Sequence, residues 1–298
     1  MTIKPKILVV GSINMDLVTI AKRTPTIGET IIGEDFKMIP GGKGANQAVA
    51  AARMGAEVAF IGTVGEDIYG ERLIETLGNE GIDISGIAKV KNLPTGIASI
   101  IVDGKANNSI IVVPGANLMV QVENLYANME LIDWCDIIVL QLEIPLETVI
   151  ECIIEGKKRG KTIIFNPAPV QSFDKSIFKY IDYLIVNEIE AKQIAETDEE
   201  DYSKLVEKLI EIGFKNVLIT IGEKGVLFNE EDEIKHIPAL KVNAIDTTAA
   251  GDSFVGTFVT SLGSGANKNN AVQNAVRAAA ITVTRVGAQS SLPYKDEI

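Results

Sequence analysis

The chain has 298 residues, 46% hydrophobic and 23% charged, a composition that suits one large α/β domain with an insertion, or two smaller domains, around a sizeable core. Its 40 acidic and 28 basic residues give a formal charge of −12, which argues against a general nucleic-acid binder and leaves any anionic substrate to be held by local features against the overall field. The single histidine, His236, all but excludes a His-based metal site or a Ser-His triad, and no stretch approaches the ~20 apolar residues of a membrane span. The run Ile7-Leu8-Val9-Val10 is too short for the apolar part of a leader, and Cys135 and Cys152 read as small core residues of a reducing, cytoplasmic compartment.

Lys6–Val10 is an apolar run closed by Gly11, as a buried first strand would be. Gly11-Ser12-Ile13-Asn14-Met15-Asp16 follows at its carboxyl end, where open α/β sheets bind ligands. Asn14 and Asp16 stand two apart and share a face of an extended segment, although both are also turn formers. Residues 30–32 and 35–39 then alternate, with Pro25, Gly28 and Gly33 around them, as small antiparallel strands would. Residues 95–113 form a second such patch, turning near Asp103-Gly104. Together the patches predict one small sheet, from residues 14–40 and 95–113, serving as a lid or an oligomer contact. The main domain then comprises residues 1–13, 41–94 and 114–298.

Gly41-Gly42-Lys43-Gly44-Ala45-Asn46-Gln47 precedes a helical pattern over 48–54, and its glycines allow close backbone approach. It is not a Walker A loop, because Gly44 follows Lys43; a helix start behind a Gly-rich turn is the plain alternative. Strand 57–62, helix Ile68–Asn79, helix 122–129 and strand 136–140 lead to Gln141-Leu142-Glu143, which puts Glu143 at another strand end. Helix 146–159 and strand Thr162–Phe165 follow. Strand 183–186 runs into Asn187-Glu188-Ile189-Glu190, where Asn187 fits an N-cap and Glu190 its capping-box partner. A carboxylate near a nucleotide also suits Mg²⁺, usually through water. After helix 202–212 and strand 216–220, Gly222-Glu223-Lys224-Gly225 turns the chain into strand 226–229.

Asp246-Thr247-Thr248-Ala249-Ala250-Gly251-Asp252 opens a helix over 253–262. The free N–H groups and dipole of a helix start favour an anion, a phosphate above all. Asp252 adds negative charge there, which suits a base taking a proton from a group about to attack the phosphate; an N-cap is the plain alternative. At such a position its carboxylate is expected in the ionised form. A helix over 270–284 and the segment Arg285-Val286-Gly287-Ala288-Gln289-Ser290-Ser291 close the pattern. Repeated β/α alternation predicts a mostly parallel sheet with helices on both faces, and no G-x-G-x-x-G follows the first strand, against a dinucleotide oxidoreductase.

The segments 11–16, 41–48, 187–190 and 246–254 together resemble the motifs of the ribokinase-like (PfkB-type) carbohydrate kinase family, and the likeness covers nearly the whole chain. The resemblance implies a three-layer α/β/α domain with a small β-sheet lid that pairs two subunits. It implies ATP-dependent phosphorylation of D-ribose at its 5-hydroxyl, or the same chemistry on deoxyribose, another sugar or a nucleoside, with a non-catalytic sugar sensor as the remaining alternative. By the same resemblance Asn14, Asp16, Gly42, Lys43, Asn46 and Glu143 line the sugar pocket with Asp252. Asn187 meets the ATP phosphates, Glu190 helps to place Mg²⁺, and Thr220, Gly222, Gly225 and Gly251 hold the nucleotide. Ala249, Ala250 and Gly251 form an anion hole beside the base Asp252. Asp246, Thr248, Thr282, Arg285, Gly287 and Ser291 match a K⁺ loop, mainly through backbone oxygens. Near the adenine site, Val276 stands where family members often carry Asn or His.

Overall fold

Alternation within the first strand sets the architecture. In β1 (Lys6–Val10), Ile7 and Val9 join one hydrophobic core while Leu8 and Val10 join another, so the strand is covered on both faces. The computed structural model describes residues 4–104, 107–231 and 233–298; residues 1–3 and 232 of the expected main domain and 105–106 of the expected lid lie outside the described residues.

From β1 the chain passes into β2 (Asn14–Ile20), β3 (Asp35–Gly41), α1 (Lys43–Arg53), β4 (Glu57–Gly65), α2 (Ile68–Asn79), β5 (Asp83–Val90), β6 (Gly96–Val102) and β7 (Asn108–Val113). Helices α3 (Val122–Tyr126) and α4 (Met129–Trp134) lead to β8 (Ile137–Leu140), α5 (Leu146–Lys158), β9 (Thr162–Phe165), β10 (Tyr183–Asn187) and α6 (Glu188–Ile194). Then come α7 (Tyr202–Glu211), β11 (Val217–Thr220), β12 (Val226–Glu230), β13 (Glu233–Ile237), α8 (Ala250–Gly263) and α9 (Lys268–Thr282).

The large sheet has the order β13-β12-β11-β10-β9-β8-β1-β4-β5. It is parallel from β11 to β5, and only the β11/β12 and β12/β13 pairs are antiparallel. One core packs Val149 and Cys152 of α5 and Leu205 and Leu209 of α7 on one face. The other packs Val49 of α1, Phe254 and Phe258 of α8 and Val272 of α9 on the opposite face, which makes three layers.

The small sheet has the order β3-β2-β6-β7. Its β2/β3 and β6/β7 pairs are antiparallel, but β2 and β6 run parallel, because both leave the large sheet in the same direction. Residues 30–32 are not a strand: they belong to the connection between β2 and β3, and Ile32 is 93% exposed with no strand beside it. The expected helix over 122–129 is two short helices, and α1 starts at Lys43, five residues earlier than its apolar pattern. Among the described residues no helix is long and apolar enough to cross a membrane.

Candidate active site

Strand β1 lies between β4 and β8, so the strand order reverses there and a crevice opens at the carboxyl ends. Ser12 and Asn14 enter it from β1 and the start of β2, and Glu143 comes from the segment after β8. The Ser12 hydroxyl donates to Glu143 Oε2 at 2.5 Å, and the Lys43 backbone N–H donates to the same oxygen at 3.1 Å. Gly42 makes this approach possible: its φ is +90°, and a Cβ would lie 2.8 Å from Asn14 N and 2.9 Å from the Ser12 carbonyl. Asn14 Oδ1 accepts from Asn117 Nδ2 at 2.7 Å. Asp16 follows on β2, and burial, then the charges of Glu143 and Asp252, push its carboxyl up to about 7. Burial works against the charge of Lys43, but Asp252, Glu143 and Glu190 outweigh it and hold the ammonium above its ordinary value.

Asp252 is not an N-cap. The cap of α8 is Ala249, in the left-handed region with φ 59° and no side-chain bond, and Asp252 is the third helical residue. Its buried carboxylate reaches α1 instead: Oδ2 accepts from Asn46 Nδ2 at 3.0 Å and Oδ1 from Gln47 Nε2 at 2.9 Å. Gly256, one turn later, lets the helices meet, since a Cβ there would lie 2.4 Å from Ala50 Cβ. The N–H groups of Gly251 and Asp252 have no partner in the helix, and a Cβ on Gly251 would meet nothing within 4 Å, so this ledge is open to a ligand. The dipole does not decide the charge of Asp252. Burial pushes its carboxyl up, against the opposing pull of Lys43, Asn46 and Gln47.

A cleft of about 220 Å³ runs from this ledge past Lys43, Asn187, Glu190 and Thr220. Asn187 and Glu190 form the reciprocal capping box of α6, with bonds of 2.8 and 2.9 Å. Burial pushes the Glu190 carboxyl up, partly offset by its bond from the Asn187 N–H and by Lys43. Gly222 and Gly225 flank the turn between β11 and β12. Val276 is buried in the core on α9, outside the walls of this cleft. Beyond the ledge, Asp246 Oδ1 accepts from the N–H and hydroxyl of Thr248, and Oδ2 accepts from Gly287 N at 2.9 Å, which ties the two loops together. Thr282 packs its hydroxyl against Ser253 Oγ at 2.8 Å, Arg285 pairs with Glu297, and Ser291 Oγ donates to the Ala288 carbonyl. Among the described residues no three His, Cys, Asp or Glu side chains form a metal cage.

A family model described as pfkB family carbohydrate kinase matches residues 4–295. The chain belongs to that family of carbohydrate kinases. This pfkB kinase is 38% identical over 291 residues to a deoxyribokinase of Salmonella typhimurium, covering 96% of this chain and 95% of the relative. It is 39% identical over 292 residues to a ribokinase of Haemophilus influenzae, covering 97% and 95%. A solved ribokinase of Thermotoga maritima superposes with a TM-score of 0.90 at 42% identity, covering 98% of this chain and 97% of that one. The Arabidopsis thaliana ribokinase complexed with ribose and ATP has a TM-score of 0.90 at 30% identity, covering 99% and 97%. The resemblance read from the motifs therefore holds, as does the fold of a large, mostly parallel sheet with a small second one.

The structure lines this cleft with eight of the kinase's expected site residues, Lys43, Asn187, Glu190, Thr220, Ala249, Ala250, Gly251 and Asp252, and bonds Asn46 to Asp252. Glu143 meets the Lys43 backbone beside it, whereas Gly222, Gly225, Val276 and the residues of the expected K⁺ loop are not among its walls. The structure adds four that sequence reasoning missed: Ser12, Gln47, Gln141 and Asn166. Gln141 and Asn166 each directly follow a strand, the position that singled out Glu143 and Asn187, but a neutral amide gives little signal of its own.

Proposed function

We propose that this kinase transfers the terminal phosphoryl group of ATP to the 5-hydroxyl of D-ribose, with Asp252 as the base. One observation carries it: a buried carboxylate, held by two side-chain amides, stands beside an open helix N-terminus and within the field of Lys43. The Arabidopsis relative complexed with ribose and ATP supports both substrates.

Phosphoryl transfer needs positioning and charge stabilisation more than covalent help. The free N–H groups of Gly251 and Asp252, beside Ala249 and Ala250, would meet the charge of the moving group, and the Lys43 ammonium adds to them. Asp252 would accept the hydroxyl proton late in the transfer. Asn14, Asp16, Asn46 and Glu143 would fix the sugar's hydroxyls, with Gly42 keeping the turn open. Asn46 Oδ1 is buried without a partner, an acceptor that a sugar hydroxyl would satisfy. Asn187, Thr220, Gly222 and Gly225 would hold the nucleotide, with Val276 near its base. Mg²⁺ brought by the nucleotide would neutralise phosphate charge. The Glu190 carboxylate on the cleft wall is a hard oxygen donor that suits it, through water. K⁺ would be held by backbone oxygens of the Asp246–Thr248 and Arg285–Ser291 loops, which Asp246 already joins. Activity with and without K⁺ at constant ionic strength tests that site. The small sheet would act as lid and subunit contact of a cytoplasmic homodimer.

An ADP-release screen over pentoses, nucleosides and hexose phosphates tests the assignment. Ribose should exceed 2-deoxyribose in kcat/KM, because a missing hydroxyl leaves a buried polar group unpaired at ~1–3 kcal/mol. The similarity to the Salmonella deoxyribokinase favours deoxyribose as the second reading, and equal or better turnover of deoxyribose would establish it.

A further inference from the structure

We infer that Gln47 is a positioning residue for phosphoryl transfer: it holds the Asp252 carboxylate in one orientation and as a proton acceptor, and its own orientation is dictated from the sheet through Asn166. The inference rests on Asp252 being the base. Asn46 and Gln47 touch that carboxylate, and behind Gln47 stand Asn166 and Gln141; the donor and acceptor roles of these last three follow from one fixed end. The carbonyl of Ile185, on β10, can only accept, so the Asn166 group bonded to it at 2.8 Å is its NH₂. Asn166 Oδ1 therefore faces Gln47 and accepts at 3.0 Å, which makes the Gln47 group there its NH₂ as well. That NH₂ has two hydrogens; the second goes to Asp252 Oδ1 at 2.9 Å. Gln47 Oε1 is left to accept from Gln141 Nε2 at 2.7 Å, as it does. Asn46 Nδ2 donates to the other oxygen at 3.0 Å, but Asn46 Oδ1 has no partner, so it is the Gln47 bond that fixes an Asp252 oxygen, Oδ1, as an acceptor.

The chain of bonds is buried throughout: Gln47, Gln141 and Asn166 are 1%, 0% and 8% exposed. Gln141 is wedged against β1's end, since its Oε1 lies 2.1 Å from where a Gly11 Cβ would be. Rotating Gln47 would set oxygen against oxygen at both Asp252 and Asn166, so the arrangement resists reversal. The charged groups around Asp252 are Lys43 on α1, Asp16 on β2 and Glu190 on α6, with Glu143 acting on Asp16 and Lys43. None of them supplies the donor that Gln47 does.

The test compares Gln47→Met and Gln47→Glu with Asp252→Asn and the double variant Gln47→Met/Asp252→Asn. Methionine keeps the length and removes the donors; glutamate keeps the shape and places an acceptor where a donor stood. Loss of a hydrogen bond to a charged group predicts a kcat about 10- to 100-fold lower, with KM for sugar and nucleotide within about threefold. The acidic limb of the kcat profile should move up by about one pH unit in both Gln47 variants. The limb is read in kcat because Asp16 titrates in the sugar-free protein. In the Asp252→Asn background, Gln47→Met should cost nothing further. A folded Gln47→Met enzyme with normal kcat and an unmoved limb, or one that loses as much again without Asp252, overturns the inference while leaving the base in place. Should Gln47→Met fail to fold, an unmoved limb in Gln47→Glu overturns it equally. Near-normal turnover of Asp252→Asn would instead overturn the base itself.

Discussion

Asp252 and Asp16 show how much local setting decides what a carboxylate does. Asp252 is buried, which raises its carboxyl, yet two amides and Lys43 favour its charge. If Asp252 is the base, as proposed, Asp252→Asn should lower kcat by ~10²–10⁴. The fold should survive, because α8 begins on Ala249 without help from the Asp252 side chain. Near-normal turnover in a stable Asp252→Asn protein would exclude it as base. Asp16 titrates at about 7 against an ordinary 3.8. Between those values the folded chain holds a proton that the unfolded chain has released. The unfolded state binds fewer protons, so stability falls as pH rises through that window and the loss is complete above about 7. Asp16→Asn escapes the penalty. The variant should gain on the parent by on the order of 1–3 kcal/mol between pH 5 and 8, with Tm rising ~2–4 °C per kcal/mol. A melting-temperature gap that stays constant with pH would show that Asp16 does not titrate there. Sugar that donates hydroxyls to Asp16 should also bind more tightly as pH rises through the same range.

At the scale of elements, the site depends on how closely α8 leans on α1. A Cβ at Gly256 would lie 2.4 Å from Ala50 Cβ and 2.7 Å from the Gln47 carbonyl, so Gly256→Ala must part the helices. Overpacking of this kind costs ~1–3 kcal/mol, and kcat should fall with stability because Asp252 reaches Asn46 and Gln47 across the same contact. Urea unfolding together with kcat checks both, and a variant unchanged in each would mean that the helices have slack. The central strands were legible in the sequence because β1, β8 and β9 are covered on both faces and read as unbroken apolar runs. Strand β13 was missed because it is a half-exposed edge strand carrying Glu233, Lys235 and His236. Residues 30–32 misled because alternation signals a strand only when a neighbour is there to pair with it. The charged site residues were legible at strand ends, whereas Gln47 and Asn166 were not. Their roles exist only where α1, α8 and the ends of β9 and β10 meet, far apart in sequence.

For the whole molecule the open question of surface is the small sheet. Leu17 and Ile97 pack against the core of the main domain, but the register sets Phe36, Met38, Ile111 and Val113 on the same face, so the main domain covers only part of it. Phe36, Met38 and the whole of β7 remain exposed, with Ile111 at 69%. Strand β7 is an edge of the sheet, so it also leaves backbone groups unpaired along its length. An edge that is both apolar and unpaired needs a cover, and a second copy brings a surface of the same kind, as a two-fold contact requires. The net charge of −12 per chain opposes that pairing, so the attraction must come from the apolar side chains. The protein should therefore sediment as a homodimer at micromolar concentration. Added salt should strengthen the dimer, since it screens the repulsion and leaves apolar burial intact. Ile111→Glu should yield monomers without unfolding the main domain, because the substituted side chain lies on the exposed edge strand and outside both cores. If the small sheet also closes over the sugar, that monomer should keep most of its kcat and lose sugar affinity. A parent protein that is monomeric at micromolar concentration, in low and high salt alike, would leave this edge as free surface and remove the second copy from the function of the lid.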